Sequence, residues 1–341
     1  MDALQYLARK LTWLFVLLFG LIALLFVGLL TYRPAAAMTH DLSPAVALEP
    51  WQPRDIAGAG EKVPPLVRQG FLLVSESAAQ MGPRAENPEM RFAGNNLSCT
   101  NCHLKGGTQA GAASWVGVSG RFPQFGARSN RNGTLEDRIN GCMERSMNGR
   151  KLPTDSEPMR AMVAYMEWLG EDLPADRESE YSGYVPIVIP ESAVDLEAGK
   201  SVYLRDCAVC HGADGQGIPD PARGYLYPPL WGPDSYNDGA GMHRVITAAE
   251  FIRGNMPYGV ATWDNPKLSD REAFDVAGYI NSFERPHKPG TEADYPDLTL
   301  KPVSTPYGPW ADDFPAQAHK FGPFPPIMAY YRDTYKLVKN K

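Results

Sequence analysis

The chain has 341 residues, 44% hydrophobic and 21% charged, with a net charge of −6. That allows two or three small domains of ordinary globular composition. The mild acidity excludes a nucleic-acid partner as an expectation.

The first predicted element is the uncharged run 11–32, LTWLFVLLFGLIALLFVGLLTY. As a helix it spans about 33 Å, enough for a hydrocarbon core. Arg9 and Lys10 precede it, so the N-terminus should stay cytoplasmic and the rest should be exported. A cleaved signal peptide is the competing reading, with Ala35-Ala36-Ala37 as the small-residue site, but the run is longer than an ordinary signal core. Residues 1–32 are therefore expected to be a transmembrane anchor, and 33–63, rich in Ala, Pro and Gly, a linker.

Residues 64–175 should form one domain. A helix is expected over Leu66–Gln80, with Gly70 its weak point. Thr134 to Gly149 reads as a capped helix: Thr134 and Asp137 form a variant capping box, and Gly149 ends it. A closing helix, capped by Asp155 or Ser156 and with Pro158 in its first turn, carries Met162, Tyr165, Met166 and Leu169 and stops at Gly170. Residues 176–192 read as a linker. Residues 193–288 repeat the plan: a helix from about Leu196 leads to Cys207, and Ser269 with Glu272 caps a helix whose stripe, Ala273, Val276, Ala277 and Ile280, reads as core. Residues 289–341, rich in proline and aromatics, should lie over the domains as an extended strap.

Four of the five cysteines fall into two Cys-x-x-Cys-His motifs, Cys99-Thr-Asn-Cys102-His103 and Cys207-Ala-Val-Cys210-His211. Each fits covalent attachment of a haem c: two thioethers tether the porphyrin, and His103 or His211 takes the iron. A dithiol or half a zinc site would explain one such pair, but not the histidine, the duplication and the export signal together. Helix, motif, irregular loop and closing helix, repeated, define an all-α fold of two class I cytochrome c-like domains in tandem behind the N-terminal helix.

The sixth ligands are less direct. For the second haem, Met256, in Gly254-Asn255-Met256-Pro257 before the closing helix, is the candidate, with Met242 and His243 as rivals. Thioether ligation raises the potential and suits electron transfer. For the first haem, the odd cysteine, Cys142, competes with Met143, Met147, Met159 and Met162; an inert buried thiol is the bland reading of Cys142. Gly141 would let the backbone approach a flat ring. Cys142 also sits in a basic segment. Residues 121–151 hold Arg121, Arg128, Arg131, Arg138, Arg145, Arg150 and Lys151 against only Glu136, Asp137 and Glu144. Arg138, Cys142 and Arg145 share a helix face, with Ser146 one turn beyond the cysteine. Singly these arginines read as propionate partners or surface; as a cluster round a thiol they suggest a site for a small anion.

The segments Asn96–His103, Arg138–Gly149, Tyr227–Gly232, Thr305–Trp310 and Phe321–Phe324 resemble the dihaem thiosulfate dehydrogenases, over roughly residues 65–330. The resemblance implies that the first haem is catalytic, with His103 and Cys142 as axial ligands, and that Arg128, Arg138 and Ser146 hold the substrate. It implies that the second haem, with Met256, passes electrons outward. The implied reaction joins two thiosulfates into tetrathionate, releasing two electrons, one to each haem, and can run in reverse. The acceptor would be a c-type cytochrome, a high-potential iron-sulfur protein or a terminal oxidase. Where some members place a switching lysine before the methionine, this chain has Asn255. The alternative is a membrane-anchored dihaem electron carrier with no substrate chemistry of its own.

Overall fold

The computed structural model describes residues 3–31, 51–56, 58, 60–221 and 223–341. The Ala35–Ala37 segment, Tyr32 and most of the 33–63 linker lie outside the described residues. Two compact units divide the chain at Pro50. The first holds helix α1, Ala3–Thr31, which is long and apolar enough to cross a membrane. It has no apolar stripe: hydrophobic side chains point out all round it, and that suits lipid rather than a folded core.

The second unit contains two hydrophobic cores. In the first, α2 (Pro65–Ser75) crosses α4 (Glu157–Gly170), with α3 (Leu135–Arg145) alongside. In the second, α5 (Leu196–Val202) crosses α7 (Asp270–Ser282), and α6 (Val245–Asn255) lies against α7. Each crossing turns on one glycine. A Cβ on Gly70 would stand 1.9 Å from the Ala161 carbonyl oxygen, and one on Gly199 would stand 2.2 Å from that of Asp275. Gly70, a liability to the helix in isolation, is what lets the second helix approach.

The expected helix over Leu66–Gln80 is broken at Glu76, leaving a short helix at Ser77–Met81. The Ser77 hydroxyl donates to the Leu73 and Val74 carbonyls, competing with the backbone pattern. Helix α3 has its Thr134–Asp137 capping box but ends at Arg145, short of Gly149. Asn148 takes the left-handed conformation at its end, and the Gly149 N–H reaches the Met143 carbonyl at 2.8 Å. Gly149 is needed for another reason: its Cβ would lie 2.0 Å from the Phe92 carbonyl oxygen. Ser156 and Ser269 cap α4 and α7 as expected. Helix α5 widens into a π turn over Tyr203–Cys207 that delivers the second motif. Two small hairpins, β1–β2 (Gln124–Gly126 with Arg131–Gly133) and β3–β4 (Ile218–Asp220 with Gly224–Tyr227), are the named strands among the described residues.

The C-terminal strap is not simply extended. It carries two helices, α8 (Ala316–Phe321) and α9 (Phe324–Tyr335). Phe321, Phe324, Ile327 and Tyr331 enter the second core, a burial that outweighs the helix-breaking prolines around them. Gly322 and Pro323 confine the break to the joint between the two helices.

The two haem domains are joined by buried amides. Asn95 donates to the Ser146 and Ser235 carbonyls (2.9 and 3.1 Å). Asn237 donates to the Glu144 carbonyl (2.9 Å) and to Asn148 (3.0 Å), so the 234–238 loop grips the C-terminal end of α3. Asp234 accepts from Asn96 and from the Tyr225 hydroxyl. Asn255 donates to the Gly111 carbonyl (2.9 Å) and accepts from Gln109 (2.7 Å).

Candidate haem and anion site

A cavity of about 310 Å³ opens beside the first motif, lined by Cys99, Cys102, His103 and Cys142 and walled by Leu97, Trp115, Ile139 and Met162. None of the five cysteines is joined to another. His103 Nδ1 lies 2.8 Å from the Ala113 carbonyl, and His211 Nδ1 lies 2.8 Å from the Pro228 carbonyl. Each bond fixes the tautomer and leaves Nε2 as the free lone pair for a metal. Apolar walls, paired thiols and a histidine oriented from behind fit a covalently held haem at the first motif, and the second repeats the paired thiols and the oriented histidine, with Cys207 and Met256 against the second core.

Cys142 and His103 line the same cavity, close enough for the histidine to act on the thiol, so the odd cysteine shares the space of the motif histidine. Burial pushes this thiol up, but Arg138, His103 and the charge of Arg145 outweigh that and bring it down to about 6. Burial acts without such compensation on Cys99, Cys102 and Cys207, pushed up to about 11, 12 and 12. Arg138 Nη1 donates to Cys142 Sγ at 3.5 Å; it sits deep among protein atoms yet is open to the cavity. Ser146 lines the same cavity, as do Met143, Met147 and Met162, whereas Met159 is fully buried in the first core and does not line it. A Cβ on Gly141 would meet no protein atom within 4 Å, so no group of the chain itself requires glycine there.

The other basic residues divide. Arg131 pairs with Asp137, Arg150 stacks on Phe92, and Lys151 stands 3.8 Å from Glu144. Arg121 lines the cavity and donates to the Ser114 carbonyl. Arg128 and Arg145 converge on one carboxylate from the strap: Asp294 accepts from Arg128 at 2.6 Å and from Arg145 at 2.8 Å. Arg128 Nη1 also donates to the Tyr307 hydroxyl (2.9 Å) and the Gly239 carbonyl (3.2 Å). Lys301 is packed among the rings of Tyr307, Tyr295 and Trp310, 4.7 to 5.8 Å away, and burial lowers it to about 8.

At the second motif, Met256 caps α6, its N–H on the Ile252 carbonyl at 2.8 Å, and packs against the second core with Cys207. Of its rivals, Met242 packs against the same core. It also lines the first cavity, and His243 is buried, with Nδ1 2.9 Å from the Asp238 carbonyl.

Several contributors to the first site come from far along the chain: Tyr184, Tyr236, Met242, Asp294 and Tyr307. Of these, Tyr307 stands in a segment that the sequence singles out, Thr305–Trp310, and Met242 stands out there only as a rival ligand for the second haem; the others carry no periodic or motif signal.

Duplicated cytochrome c folds, each with its own attachment motif, make this a dihaem cytochrome c, with two haems covalently bound, and the thiol sharing the cavity of the first histidine marks a specialised member. Residues 90–174 match the SoxA/TsdA cytochrome c domain family and residues 196–284 the cytochrome c family. A thiosulfate dehydrogenase from Allochromatium vinosum is 43% identical over 270 residues, 77% of this chain and 91% of that protein. Another, from Psychrobacter arcticus, is 43% identical over 204 residues, 60% of this chain and 61% of its own length. The solved thiosulfate dehydrogenase TsdBA from Marichromatium purpuratum superposes with a TM-score of 0.62 at 34% identity, over 70% of this chain and 50% of that one. The chain belongs to the thiosulfate dehydrogenase family.

Proposed function

We propose that this chain is a thiosulfate dehydrogenase held at the cytoplasmic membrane, with its haem domains on the periplasmic side. It joins two thiosulfate dianions through a new S–S bond into the tetrathionate dianion and releases two electrons, with no proton taken up or lost. His103 with Cys142 would hold the iron of the first haem, and His211 with Met256 that of the second. Cys99, Cys102, Cys207 and Cys210 hold the porphyrins. When bound, the two haems supply the one-electron acceptors for the two electrons. Arg138, Arg128 and Ser146 hold the sulfur dianion beside Cys142, offsetting its charge by forked hydrogen bonds. The second haem domain would hand the electrons on to a c-type cytochrome, a high-potential iron-sulfur protein or a terminal oxidase.

The observation that carries the reading is one sulfur shared by a cavity and a charge: Cys142 lines the same cavity as His103 and lies 3.5 Å from the Arg138 guanidinium. For the anchor, the support is the apolar length of α1 behind Arg9 and Lys10. Purified protein given thiosulfate and ferricyanide should form tetrathionate, and Cys142→Ala should lose that activity and change the first-haem spectrum while keeping both haems. Wild-type protein that holds two haems but does not turn over thiosulfate would leave an electron carrier in place of a dehydrogenase.

A further inference from the structure

Arg244 stands at an unusual place. It is the N-cap of α6, where short polar side chains are favoured and a positive charge opposes the helix dipole. It makes no capping hydrogen bond, and among the described residues it pairs with no carboxylate; its one contact is a long bond from Nε to its own Gly241 carbonyl, 3.4 Å. A guanidinium that neither caps its helix nor neutralises an acid has its partner elsewhere.

Its surroundings indicate where. The loop leading to it, 234–243, lies on the helix that bears Cys142: Asn237 N–H bonds the Arg145 carbonyl, and Gly239 accepts from Arg128. Met242 and Tyr236 enter the cavity with Cys142. Tyr184, whose hydroxyl is 4.0 Å from Met242 Sδ, lies within electrostatic reach of Cys102, Arg138, Cys142 and Arg244 together. The fields of Arg128 and Arg138 both reach Arg244, and both disfavour its charge. Two acids reach this neighbourhood: Asp294 is shared by Arg128 and Arg145, and Glu250, whose carboxylate feels the charge of Arg244, is bonded by Lys341. Arg138 and Arg244, one from each haem domain, are thus left with no carboxylate bonded to them among the described residues, and like charges held this way call for an anion between them.

We propose that Arg244 is a substrate-binding residue: with Arg138 it completes an interdomain site for a sulfur-oxoanion dianion, so that the second haem domain contributes directly to binding at the first. The inference rests on the dehydrogenase reading and deepens it. Arg128 is tied by Nη1 to Asp294, Tyr307 and Gly239.

The test is Arg244→Gln beside Arg244→Lys in the full-length dihaem protein. Arg244→Gln should raise the thiosulfate KM about 10- to 100-fold, the loss of one charge-assisted contact, with kcat at saturation little changed. Arg244→Lys, which keeps the charge and loses the fork, should fall between Gln and wild type. A second readout needs no turnover: tetrathionate binding to the fully oxidised protein, which has no electrons to give, should weaken about tenfold or more in Arg244→Gln by calorimetry. An unchanged KM and unchanged tetrathionate binding overturn the proposal. So does a shifted midpoint potential of either haem with KM intact, because that is the mark of an arginine serving a haem propionate. Wild type without thiosulfate activity would sink the dehydrogenase reading itself, whereas active wild type with an unaffected Arg244→Gln sinks this inference alone. If Arg244→Gln fails to fold, the intermediate KM expected of Arg244→Lys still decides.

Discussion

At Cys142 the chemistry is local and its consequences are separable. Arg138 lies one helical turn before it and donates to its sulfur, so Arg138→Gln should remove about 1.5–3 kcal/mol of charge-assisted binding. Thiosulfate kcat/KM should then drop roughly 10- to 100-fold with both haems retained on a denaturing gel; a smaller loss would place Arg138 outside the site. Replacing Cys142 with Met should keep a sulfur ligand, raise the first-haem potential and abolish turnover. His243 offers a residue-scale prediction about stability. Burial, with Arg285 nearby, lowers it to about 4 against the bond to Asp238 that raises it, so the folded chain resists protonating a group that the unfolded chain protonates near 6.5. Its contribution is complete above pH 6.5 and is lost as the pH falls toward 4, amounting to roughly 3 kcal/mol. Urea midpoints should therefore fall less steeply across that window in His243→Leu than in wild type; parallel slopes would clear His243 of the effect. Cys142 and Arg138 were legible in the sequence because their relation is a turn of one helix. Asp294 was not, because the contact that gives it meaning spans 166 residues.

At the scale of elements, the duplicated glycines make the clearest prediction. Gly70→Ala and Gly199→Ala both drive a methyl group into backbone, at 1.9 and 2.2 Å from a carbonyl oxygen, where no flexible side chain can yield. Each should destabilise its helix crossing by about 1–3 kcal/mol or more, despite the better helix propensity of alanine. Thermal melts that rise or stay level would show that the crossing tolerates a wider gap. The helices themselves were readable from capping boxes and apolar spacing, and Ser156 and Ser269 stand where that chemistry puts them. Two features were not. The break at Glu76 depends on a serine turning back on its own helix, which a hydrophobic pattern does not register. The helices α8 and α9 depend on a core supplied by the second haem domain; their own sequence, interrupted by Pro315, Pro323, Pro325 and Pro326, reads as loop.

For the whole molecule, α1 and the rest of the chain form two compact units, and the haem-bearing unit begins at Trp51. A chain starting there and exported by a foreign signal should be soluble, carry two haems and keep the thiosulfate activity of the full-length protein, whose own fractionation should require detergent. Truncated protein that still needs detergent would mean that α1 is not the reason for membrane association. Within the haem-bearing unit, tandem duplication suggests two independent bodies, but the buried amides and the strap bind them together. Sequence pattern reports each repeat faithfully and is silent on what lies between them, because amides such as Asn95, Asn237 and Asn255 carry no periodic mark.

The carboxylate of Asp294, placed between Arg128 and Arg145, has a consequence in time as well as in space. During synthesis both arginines emerge well before the acid that joins them, and closing so long a loop is an entropic cost that helix pairing within either repeat does not meet. Until the strap arrives, Arg128 and Arg145 lack the carboxylate that joins them, although the helix bearing Cys142 has its own caps and local pairs. The first haem domain can thus fold early, but the pocket beside its cysteine matures last, when the final fifth of the chain has docked.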